Sequence, residues 1–256
     1  MSWKDQFPKE NRYFETDSGI LYNAEAIEMM SRFPEKIFDA IITDPPYGTT
    51  ACKWDSIIPI DEMWRELKKV RKDRTAIVLF GSEPFSSLLR VSNLEEFRYD
   101  WVWEKEQGAN FLSVRFQPYK VHEVISVFGK RAVKYYPIMS RGEPYISGKG
   151  TSGEITGNVV KIQTRNEGTR FPRSIIRFNT DKCRSMHPTQ KPVTLLEYLV
   201  KTYTKERDLV LDFAIGSGTT AVACEKLNRR WIGIEIEKKY CDICVERLRK
   251  IEKYLI

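Results

Sequence analysis

A short motif, Asp44-Pro45-Pro46-Tyr47, directly follows the apolar run from Phe38 to Thr43. The amine nitrogen of adenine or cytosine is a poor nucleophile because its lone pair is delocalised into the ring. An ionised Asp44 can accept one amine N–H, and the carbonyl of Pro45, held outward by two prolines that fix the backbone, can accept the other. The Tyr47 ring offers a face on which an extruded base can stack. The motif predicts chemistry on the amino group of a flipped base, and the alternative is a strand that ends in a tight Pro-Pro turn.

A second motif, from Val210 to Ala221, has the pattern of a strand, a glycine turn and a helix start. Glycines let the backbone approach a ligand closely, and a helix N-terminus offers free N–H groups. Glu235 closes the next predicted strand, where a carboxylate can bind both ribose hydroxyls. The candidate ligand-binding residues of the turn are Asp212, Gly216, Ser217, Gly218, Thr219 and Thr220.

The spacing of Gly216, Gly218 and Ala221 also satisfies the dinucleotide fingerprint. A dinucleotide site needs two nucleotide-binding halves, however, and only one further strand and helix follow this turn. A mononucleoside cofactor therefore fits the layout better, and a glycine turn without a ligand is the remaining alternative.

A third motif runs from His187 to Pro192 and ends at a proline in the first turn of a predicted helix. Lys191 and the first amides of that helix can hold a carboxylate. His187, Thr189 and Gln190 accompany it as candidate ligands, although His187 taken alone fits a capping or packing role equally well.

The chain has 256 residues and a net charge of +7, which is compatible with one large α/β domain or one domain with an insert. No apolar stretch approaches membrane-spanning length, and the polar first sixteen residues do not resemble a signal peptide. The five scattered cysteines favour a reducing cytoplasm over a disulfide framework. Cys241 and Cys244 form a lone CxxC on a helical pattern, which we assign to core packing because a zinc site needs four ligands.

The basic excess is concentrated in one segment. Residues 130–184 hold twelve Lys or Arg against four acidic residues, a balance of +8, so the rest of the chain is close to neutral. Such a segment is an electrostatic footprint for a polyanion, with a solvated basic face as the alternative. We expect its arginines to divide into phosphate and base-edge contacts, with these candidates: Arg131, Arg141, Arg165, Arg170, Arg173 and Arg177.

Strands that alternate with helices predict a doubly wound, mostly parallel α/β sheet. Residues 1–16 are expected to form a loose arm, and Asn23 is expected to cap a helix that ends near Ser31. Periodicity disappears between about 130 and 185, which indicates a loop-rich insert. We predict a catalytic half at 17–130, a basic insert at 131–184 and a cofactor-binding half at 185–256.

From Gly19 to Leu248, the chain resembles the beta-class amino-group DNA methyltransferases. The resemblance depends on four motifs in the beta-class order: Asp44 to Tyr47, His187 to Pro192, Gly216 to Thr220, and Gly233-Ile234-Glu235. It implies a circularly permuted class I S-adenosylmethionine-dependent methyltransferase fold, with the basic insert as the target-recognition segment.

The resemblance implies direct methyl transfer from S-adenosylmethionine, with no metal. Asp44, Pro45, Pro46 and Tyr47 are then catalytic, and the glycine turn, the third motif, Glu235, Asn23 and Asp44 contact the cofactor. Two positions depart from the family pattern. Phe213-Ala214 replaces the usual Pro-Phe pair, so the aromatic side chain that packs near the cofactor is expected to be shifted or absent. Asn23 stands where Asp is usual, which predicts weaker cofactor affinity.

An acidic residue before Pro-Pro is common in the family's adenine-N6 enzymes, so the resemblance favours N6 of adenine in double-stranded DNA. N4 of cytosine is the alternative, because both bases present an amine to the same device. A non-catalytic nucleic-acid-binding module on the same fold is a further alternative. The resemblance implies the cytoplasm of a bacterium or phage-infected cell, and it leaves a homodimer and a companion restriction endonuclease open.

Overall fold

The computed structural model describes residues 2–48, 57–108, 110–147, 164–180 and 190–252. Strands are numbered in chain order: β1 (Arg12–Glu15), β2 (Gly19–Asn23), β3 (Phe38–Thr43), β4 (Arg71–Gly81), β5 (Phe97–Glu104), β6 (His122–Phe128), β7 (Ser140–Arg141), β8 (Tyr145–Ser147), β9 (Thr164–Asn166), β10 (Thr169–Arg170), β11 (Ile175–Arg177), β12 (Leu209–Asp212) and β13 (Arg230–Glu235). The α-helices are α1 (Ala26–Ser31), α2 (Ile60–Val70), α3 (Phe85–Ser92), α4 (Val193–Tyr203), α5 (Thr219–Lys226) and α6 (Lys238–Glu252).

Nine strands form the main sheet in the described part of the chain, in the order β1-β2-β13-β12-β3-β4-β6-β5-β11. The five strands from β2 to β4 in that order are mutually parallel. Strand β1 pairs antiparallel with β2, and β6 runs antiparallel to both β4 and β5. The predicted doubly wound, mostly parallel α/β fold is confirmed.

The central strands β3 and β12 are mostly apolar and fully buried, as expected for a sheet whose two faces are covered by helices. Ala40 and Ile42 of β3 pack in one core cluster with side chains of α4, α5 and α6. Ile41, between them, packs in a second cluster with side chains of α1, α2 and α3. Alternate residues of one strand thus fill two different cores, so the strand shows no polar alternation.

The two cysteines of the CxxC motif, Cys241 and Cys244, are buried in α6 within the first of these clusters. Burial raises the pKa of each thiol to about 12. Both therefore act as small apolar side chains, as the helical pattern predicted. No helix in the described ranges is both long and apolar enough to span a membrane.

The expectation of a loose N-terminal arm is wrong. Residues Trp3–Gln6 form a 3₁₀ helix, and β1 adds an edge strand to the sheet. The Arg12 guanidinium donates to the carbonyls of Pro8, Lys4 and Phe7 at 2.7–2.9 Å. The half-buried Arg12 side chain therefore holds the N-terminal residues together through contacts that the local polarity of the sequence does not reveal.

The expected helix cap at Asn23 is also wrong. Asn23 ends β2, and Glu25 caps α1 by accepting hydrogen bonds from the backbone N–H groups of Ile27 and Glu28, at 3.0 and 2.6 Å. A glutamate carboxylate reaches the first turn as well as a shorter cap does, so the preference for Asn at such positions was misleading.

Residues Pro137–Arg173 form a second compact unit, separate from the unit made of Met1–Tyr136 and Ser174–Ile256. Its described strands pair as β7 with β10 and β8 with β9, all antiparallel. The Arg170 guanidinium donates to Asn166 Oδ1 at 2.7 Å and lies 4.7 Å from the Tyr145 ring centroid. Strand β11 belongs to the main sheet, and the functional division at 17–130, 131–184 and 185–256 stays a prediction.

A buried ion pair ties the start of β4 to the residue before β5. Arg71 donates from both terminal nitrogens to Glu96, at 2.8 and 2.5 Å, and Asn93 donates to the same carboxylate at 3.2 Å. Burial alone would raise the pKa of Glu96, but its hydrogen bonds from Arg71 and Asn93 hold that pKa below its usual range.

Glu96→Gln leaves the Arg71 charge buried without a counter-charge, so we expect the free energy of unfolding to fall by about 3 kcal/mol. Urea denaturation of the purified protein measures this loss. Glu62→Gln is the matched control, because Glu62 meets Arg65 at 4.0 Å with both side chains exposed, and should cost less than about 1 kcal/mol. Equal losses in the two variants would contradict the role given to the Arg71–Glu96 pair.

Candidate active site

Two of the predicted motifs end up side by side because their strands are neighbours. Strands β3 and β12 pair in parallel, with Ala40 opposite Val210 and Ile41 opposite Leu211. Their carboxyl ends therefore meet at one edge of the sheet, where Asp44 follows β3 and the glycine turn follows β12. The Thr43 hydroxyl accepts a hydrogen bond from the Phe213 N–H at 3.2 Å and joins the two loops directly.

Glu235 at the end of β13 shapes the glycine turn. Its carboxylate accepts hydrogen bonds from the backbone N–H groups of Gly216 at 2.9 Å and Glu237 at 2.8 Å. Burial is the main cause that raises the pKa of Glu235, and the two N–H groups oppose that rise. Each carboxylate oxygen keeps a further lone-pair direction for a ligand hydroxyl.

Only glycine fits at the start of α5. Gly218 has a φ of +82°, and a Cβ there would lie 2.3 Å from Cys244 Sγ. The turn can thus keep its left-handed geometry and close contact with α6 without a side chain. Asn23 supports the neighbouring strand end, because its amide donates to the carbonyls of Glu235 and Ile236, both at 2.9 Å.

Asp212 points into the protein at the end of β12. Burial raises the pKa of its carboxyl to about 7, although hydrogen bonds from Thr220, the Ala214 N–H and Thr43 oppose the shift. The Ala214 N–H donates to this carboxyl at 3.2 Å. In this structure Asp212 therefore braces the turn.

Arg247 of α6 is a residue that sequence reasoning missed. Its guanidinium donates to the Ser217 carbonyl at 2.7 Å, and to the hydroxyls of Ser217 and Thr219 at 3.0 Å each. The Ser217 hydroxyl also donates to the Gln190 side chain at 3.2 Å. The order of these groups along the chain gave no signal of this contact, since α6 folds back over the turn only in three dimensions.

A chain of alternating charges crosses the sheet edge where Asp44 lies. Lys191, just before α4, forms ion pairs with Asp44 and with Glu123 of β6, the latter at 3.4 Å. Lys105, just after β5, forms an ion pair with Glu123 from the other side. The Lys191 side chain is only 9% exposed, so these charges interact with little screening by water.

The charge chain sets the titration of its members. Burial raises the pKa of Asp44, and Lys191 opposes that rise. Burial alone would lower the pKa of Lys191, but Asp44 and Glu123 raise it above its usual range. Burial would likewise raise the pKa of Glu123, yet Lys191 and Lys105 hold it below the ordinary value.

Lys191 was predicted to hold a cofactor carboxylate, which stays a prediction, and its ammonium group contacts two protein carboxylates, Asp44 and Glu123. Glu123 and Lys105 were not predicted as site residues. The sequence signal for Glu123 is weak: it is a charged residue near the start of a strand whose second half is mostly apolar.

Tyr47 is oriented by two contacts. Its hydroxyl donates a hydrogen bond to Asp44, and its ring stacks on Phe85 with centroids 5.1 Å apart and planes inclined by 27°. The hydroxyl uses one lone-pair direction of the Asp44 carboxylate, which offers about four. Asp44 can therefore keep Tyr47 and Lys191 as partners while it accepts an additional N–H.

The remaining predicted residues divide into three groups. His187 and Thr189 lie outside the described residues. Arg131, Arg141, Arg165 and Arg173 are exposed, and Arg177 pairs with Glu104 at 2.6 Å. Arg170 is engaged by Asn166 and Tyr145, as described above. No group of three or more potential metal ligands occurs among the residues for which positions are described.

Comparison with known proteins identifies the class of this fold and site. The family model N6/N4 methyltransferase, described as DNA methylase, matches residues 38–246. That match covers more than half of the chain and includes both motifs that lie at the ends of β3 and β12, namely Asp44 to Tyr47 and the glycine turn. The chain belongs to this family of DNA methylases.

Individual relatives agree with that family. The chain is 28% identical to the Type II methyltransferase M2.LlaDCHI of Lactococcus lactis subsp. cremoris, over 94% of this chain and 93% of the relative. It is 30% identical to M.HpaI of Haemophilus parainfluenzae, over 88% and 72% of the two chains. The orphan methyltransferase M.BamHII of Bacillus amyloliquefaciens is 28% identical, over 82% and 88%.

Solved structures share the class I methyltransferase fold. The PvuII cytosine-N4-specific DNA methyltransferase has a TM-score of 0.69 at 16% identity, covering 93% of this chain and 89% of that one. The M1.HpyAVI–SAM complex has a TM-score of 0.63 at 26% identity, covering 89% and 98%. The predicted family and fold are confirmed.

Removing Lys191 tests the charge chain directly. Lys191 favours the ionised form of Asp44, so Lys191→Met should raise the pKa of the Asp44 carboxyl. Glu123→Gln should lower that pKa, because the Glu123 charge contributes to the rise. Carboxyl carbon NMR, with Asp44→Asn to assign the signal, measures both shifts. Lys226→Met, which removes an exposed partner of Glu197, is the control, and shifts of the same sign in the first two variants would contradict the scheme.

Proposed function

We propose that this protein transfers the methyl group of S-adenosylmethionine to N6 of adenine in double-stranded DNA. The observation that carries the proposal is the pairing of β3 with β12, which places the Asp44-Pro45-Pro46-Tyr47 motif beside the glycine turn. A base-binding device and a nucleoside-binding turn then share one edge, as direct transfer between two bound molecules requires.

The residues at the glycine turn fit a nucleoside cofactor. Glu235 keeps lone pairs for two ribose hydroxyls, and the first amides of α5 lie beside Gly216 and Gly218. When bound there, S-adenosylmethionine supplies an activated methyl group. Family membership and the M1.HpyAVI–SAM complex support this cofactor.

The protein's own part in the reaction is to bind, orient and accept hydrogen bonds. Asp44 accepts one N–H of the extruded base, and the Pro45 carbonyl accepts the other, which localises the lone pair on the attacking nitrogen. The Tyr47 ring stacks on the base. Lys191 holds Asp44 in place and favours its ionised form, which is the form that accepts a hydrogen bond.

The base assignment rests on the resemblance, since Asp44 before Pro-Pro is common in adenine enzymes. The experiment is to incubate the protein with DNA and S-adenosylmethionine, digest the product and identify the modified nucleoside by mass spectrometry. We expect N6-methyldeoxyadenosine. N4-methyldeoxycytidine would overturn the base assignment and leave the family unchanged, and methylome sequencing of expressing cells gives the recognition sequence.

Asp44→Ala removes the main acceptor for the amine, so we expect transfer to fall at least about 100-fold. S-adenosylmethionine affinity, measured by calorimetry, should stay close to the wild-type value. That measurement also controls for folding, because Lys191 loses one partner in this variant. Near-wild-type turnover of Asp44→Ala would remove the catalytic role of this residue.

Arginines of the basic insert are proposed to bind the DNA backbone. Arg165→Gln with Arg173→Gln removes two exposed charges and should reduce the slope of log affinity against log salt by about 0.9 for each lost phosphate contact. Arg170 is left intact because it holds the insert together. The charge-matched control is Arg32→Gln with Arg65→Gln, two arginines outside the insert whose side chains are 44% and 64% exposed. Unchanged slopes in the insert variant would contradict the proposed contact.

The setting of the reaction also stays a proposal. The relatives include Type II methyltransferases and an orphan methyltransferase, so their names are compatible with a companion endonuclease and with solitary action. We place the protein in the bacterial cytoplasm, where its DNA substrate lies, and a homodimer stays a prediction.

A further inference from the structure

The connection between β5 and β6 carries an unusual set of exposed apolar side chains. We call residues 105–108 and 110–121 the β5–β6 segment. Leu112 is 93% exposed, Phe116 is 90% exposed and Phe111 is 73% exposed, and Val114 and Tyr119 are also exposed. Single exposed apolar residues are ordinary, but a group of five on one short connection marks an interaction site.

The segment holds these side chains outward on a hydrogen-bonded frame. The Asn110 side chain donates to the Pro118 carbonyl at 3.0 Å and accepts from the Lys120 N–H at 2.7 Å. The Tyr119 hydroxyl donates to the Gly108 carbonyl at 3.1 Å. Within the tip, the N–H groups of Phe116 and Gln117 donate to the Ser113 carbonyl at 2.9 and 3.1 Å. The apolar side chains are therefore presented by a defined loop.

The segment begins at the sheet edge where Asp44 lies. Strand β5 runs parallel to β3, because β6 separates it from β4 and is antiparallel to both. Its last residue therefore points to the edge where Asp44 lies. Lys105 joins that edge through Glu123 and Lys191, and Lys120 donates a hydrogen bond to Ser82 in the turn after β4.

The charges of the segment fit a polyanion. Arg115 and Lys120 are basic, Lys105 is neutralised by Glu123, and Glu106 is the one acidic residue in the segment. Glu106 is itself turned toward Thr180, whose backbone N–H it binds at 2.9 Å. An apolar tip beside basic groups suits a DNA duplex, whose phosphates surround a stack of apolar base faces.

Extruding a base from a duplex costs a few kcal/mol of stacking and pairing and leaves a gap. Apolar side chains such as Phe and Leu can enter a base step and offset that cost. We propose that the β5–β6 segment inserts Leu112 and Phe116 into duplex DNA beside the extruded base. This inference rests on the proposed function, because a duplex-acting enzyme that flips its target is what needs such a wedge.

The test uses a double variant that carries both Leu112→Ser and Phe116→Ser, called the wedge variant. Its activity is compared with that of the wild-type protein on two DNA substrates. One is the matched duplex that contains the recognition sequence, and the other has an abasic site opposite the target base, which removes its pairing partner. On the matched duplex we expect kcat/KM to fall about 10-fold or more, in line with a few kcal/mol of extrusion cost. On the abasic duplex the variant should recover to within about twofold of wild type, because no pairing remains to be broken.

Val91→Ser with Leu94→Ser is the matched control, since these residues are 74% and 67% exposed at the end of α3 and just after it. It should leave both substrates unaffected. Equal activity of the wedge variant and wild type on the matched duplex would overturn the proposal, as would a loss that the abasic duplex does not restore. A loss that accompanies a change of mass in analytical ultracentrifugation would assign the surface to a second copy of this chain and also overturn it.

A binding experiment separates this inference from the proposed function. With 2-aminopurine at the target position, the wild-type protein should raise the fluorescence on binding, and the wedge variant should raise it at least about threefold less, since an unassisted base stays stacked. If the wild-type protein methylates neither duplex, the proposed function fails, and the fluorescence still decides the role of the segment. Equal fluorescence from both proteins would exclude the wedge.

Discussion

The parallel pairing of β3 with β12 decides which side chains meet at the sheet edge where Asp44 lies, because the two strands end side by side. The apolar residues of each strand fill two helix-covered cores, although β3 also carries the buried Asp39 and β12 ends in the buried Asp212, so burial specifies the register. A slip of one residue would turn every core side chain to the opposite face. The relative position of Asp44 and the glycine turn is therefore fixed by two buried, directly paired strands, and the loops need only extend it by a few residues.

The ionic arrangement at this edge adds a second constraint. A buried carboxylate by itself tends to become neutral, since burial disfavours its charge. Lys191 counteracts that tendency at Asp44. Lys191 also pairs with Glu123, which in turn pairs with Lys105, so the two carboxylates and two ammonium groups have no net charge together. Removing any one member leaves an uncompensated charge away from water, so these residues are expected to act as one unit.

Much of the fold was predictable from the sequence, and the errors have physical causes. The buried strands β3 and β12 and the helices that follow them have strong patterns, and the order of strand, turn and helix in the sequence gave their location within one or two residues. The N-terminal arm was wrong because Arg12 orders it through contacts that local composition does not encode. The helix cap was wrong because Glu25, two residues after Asn23, competes for the same backbone donors.

The candidate site shows the same division. Asp44 and the glycine turn were predicted because each motif is local and needs special backbone chemistry, namely Pro-Pro and αL glycine. Arg247, Glu123 and Lys105 were missed because each acts through a contact between distant parts of the chain, and a single charged residue on a strand or helix resembles any solvated one. Sequence patterns thus find the groups that require an unusual backbone more readily than the groups that hold them in place.

The structure also links Asp44 to the exposed β5–β6 segment through a series of ion pairs. Lys105 is the first residue of the β5–β6 segment and the last member of the charge chain that begins at Asp44. Lys120, near the other end of the segment, contacts the turn after β4, which is the strand next to β3. Each end of the segment is thus tied to this part of the sheet by a side chain, Lys105 to Glu123 of β6 and Lys120 to the turn after β4, in addition to the backbone pairing of β5 and β6. The start of the segment is therefore connected to the Asp44 carboxylate through Glu123 and Lys191, which is a geometric condition for both to contact the same bound molecule.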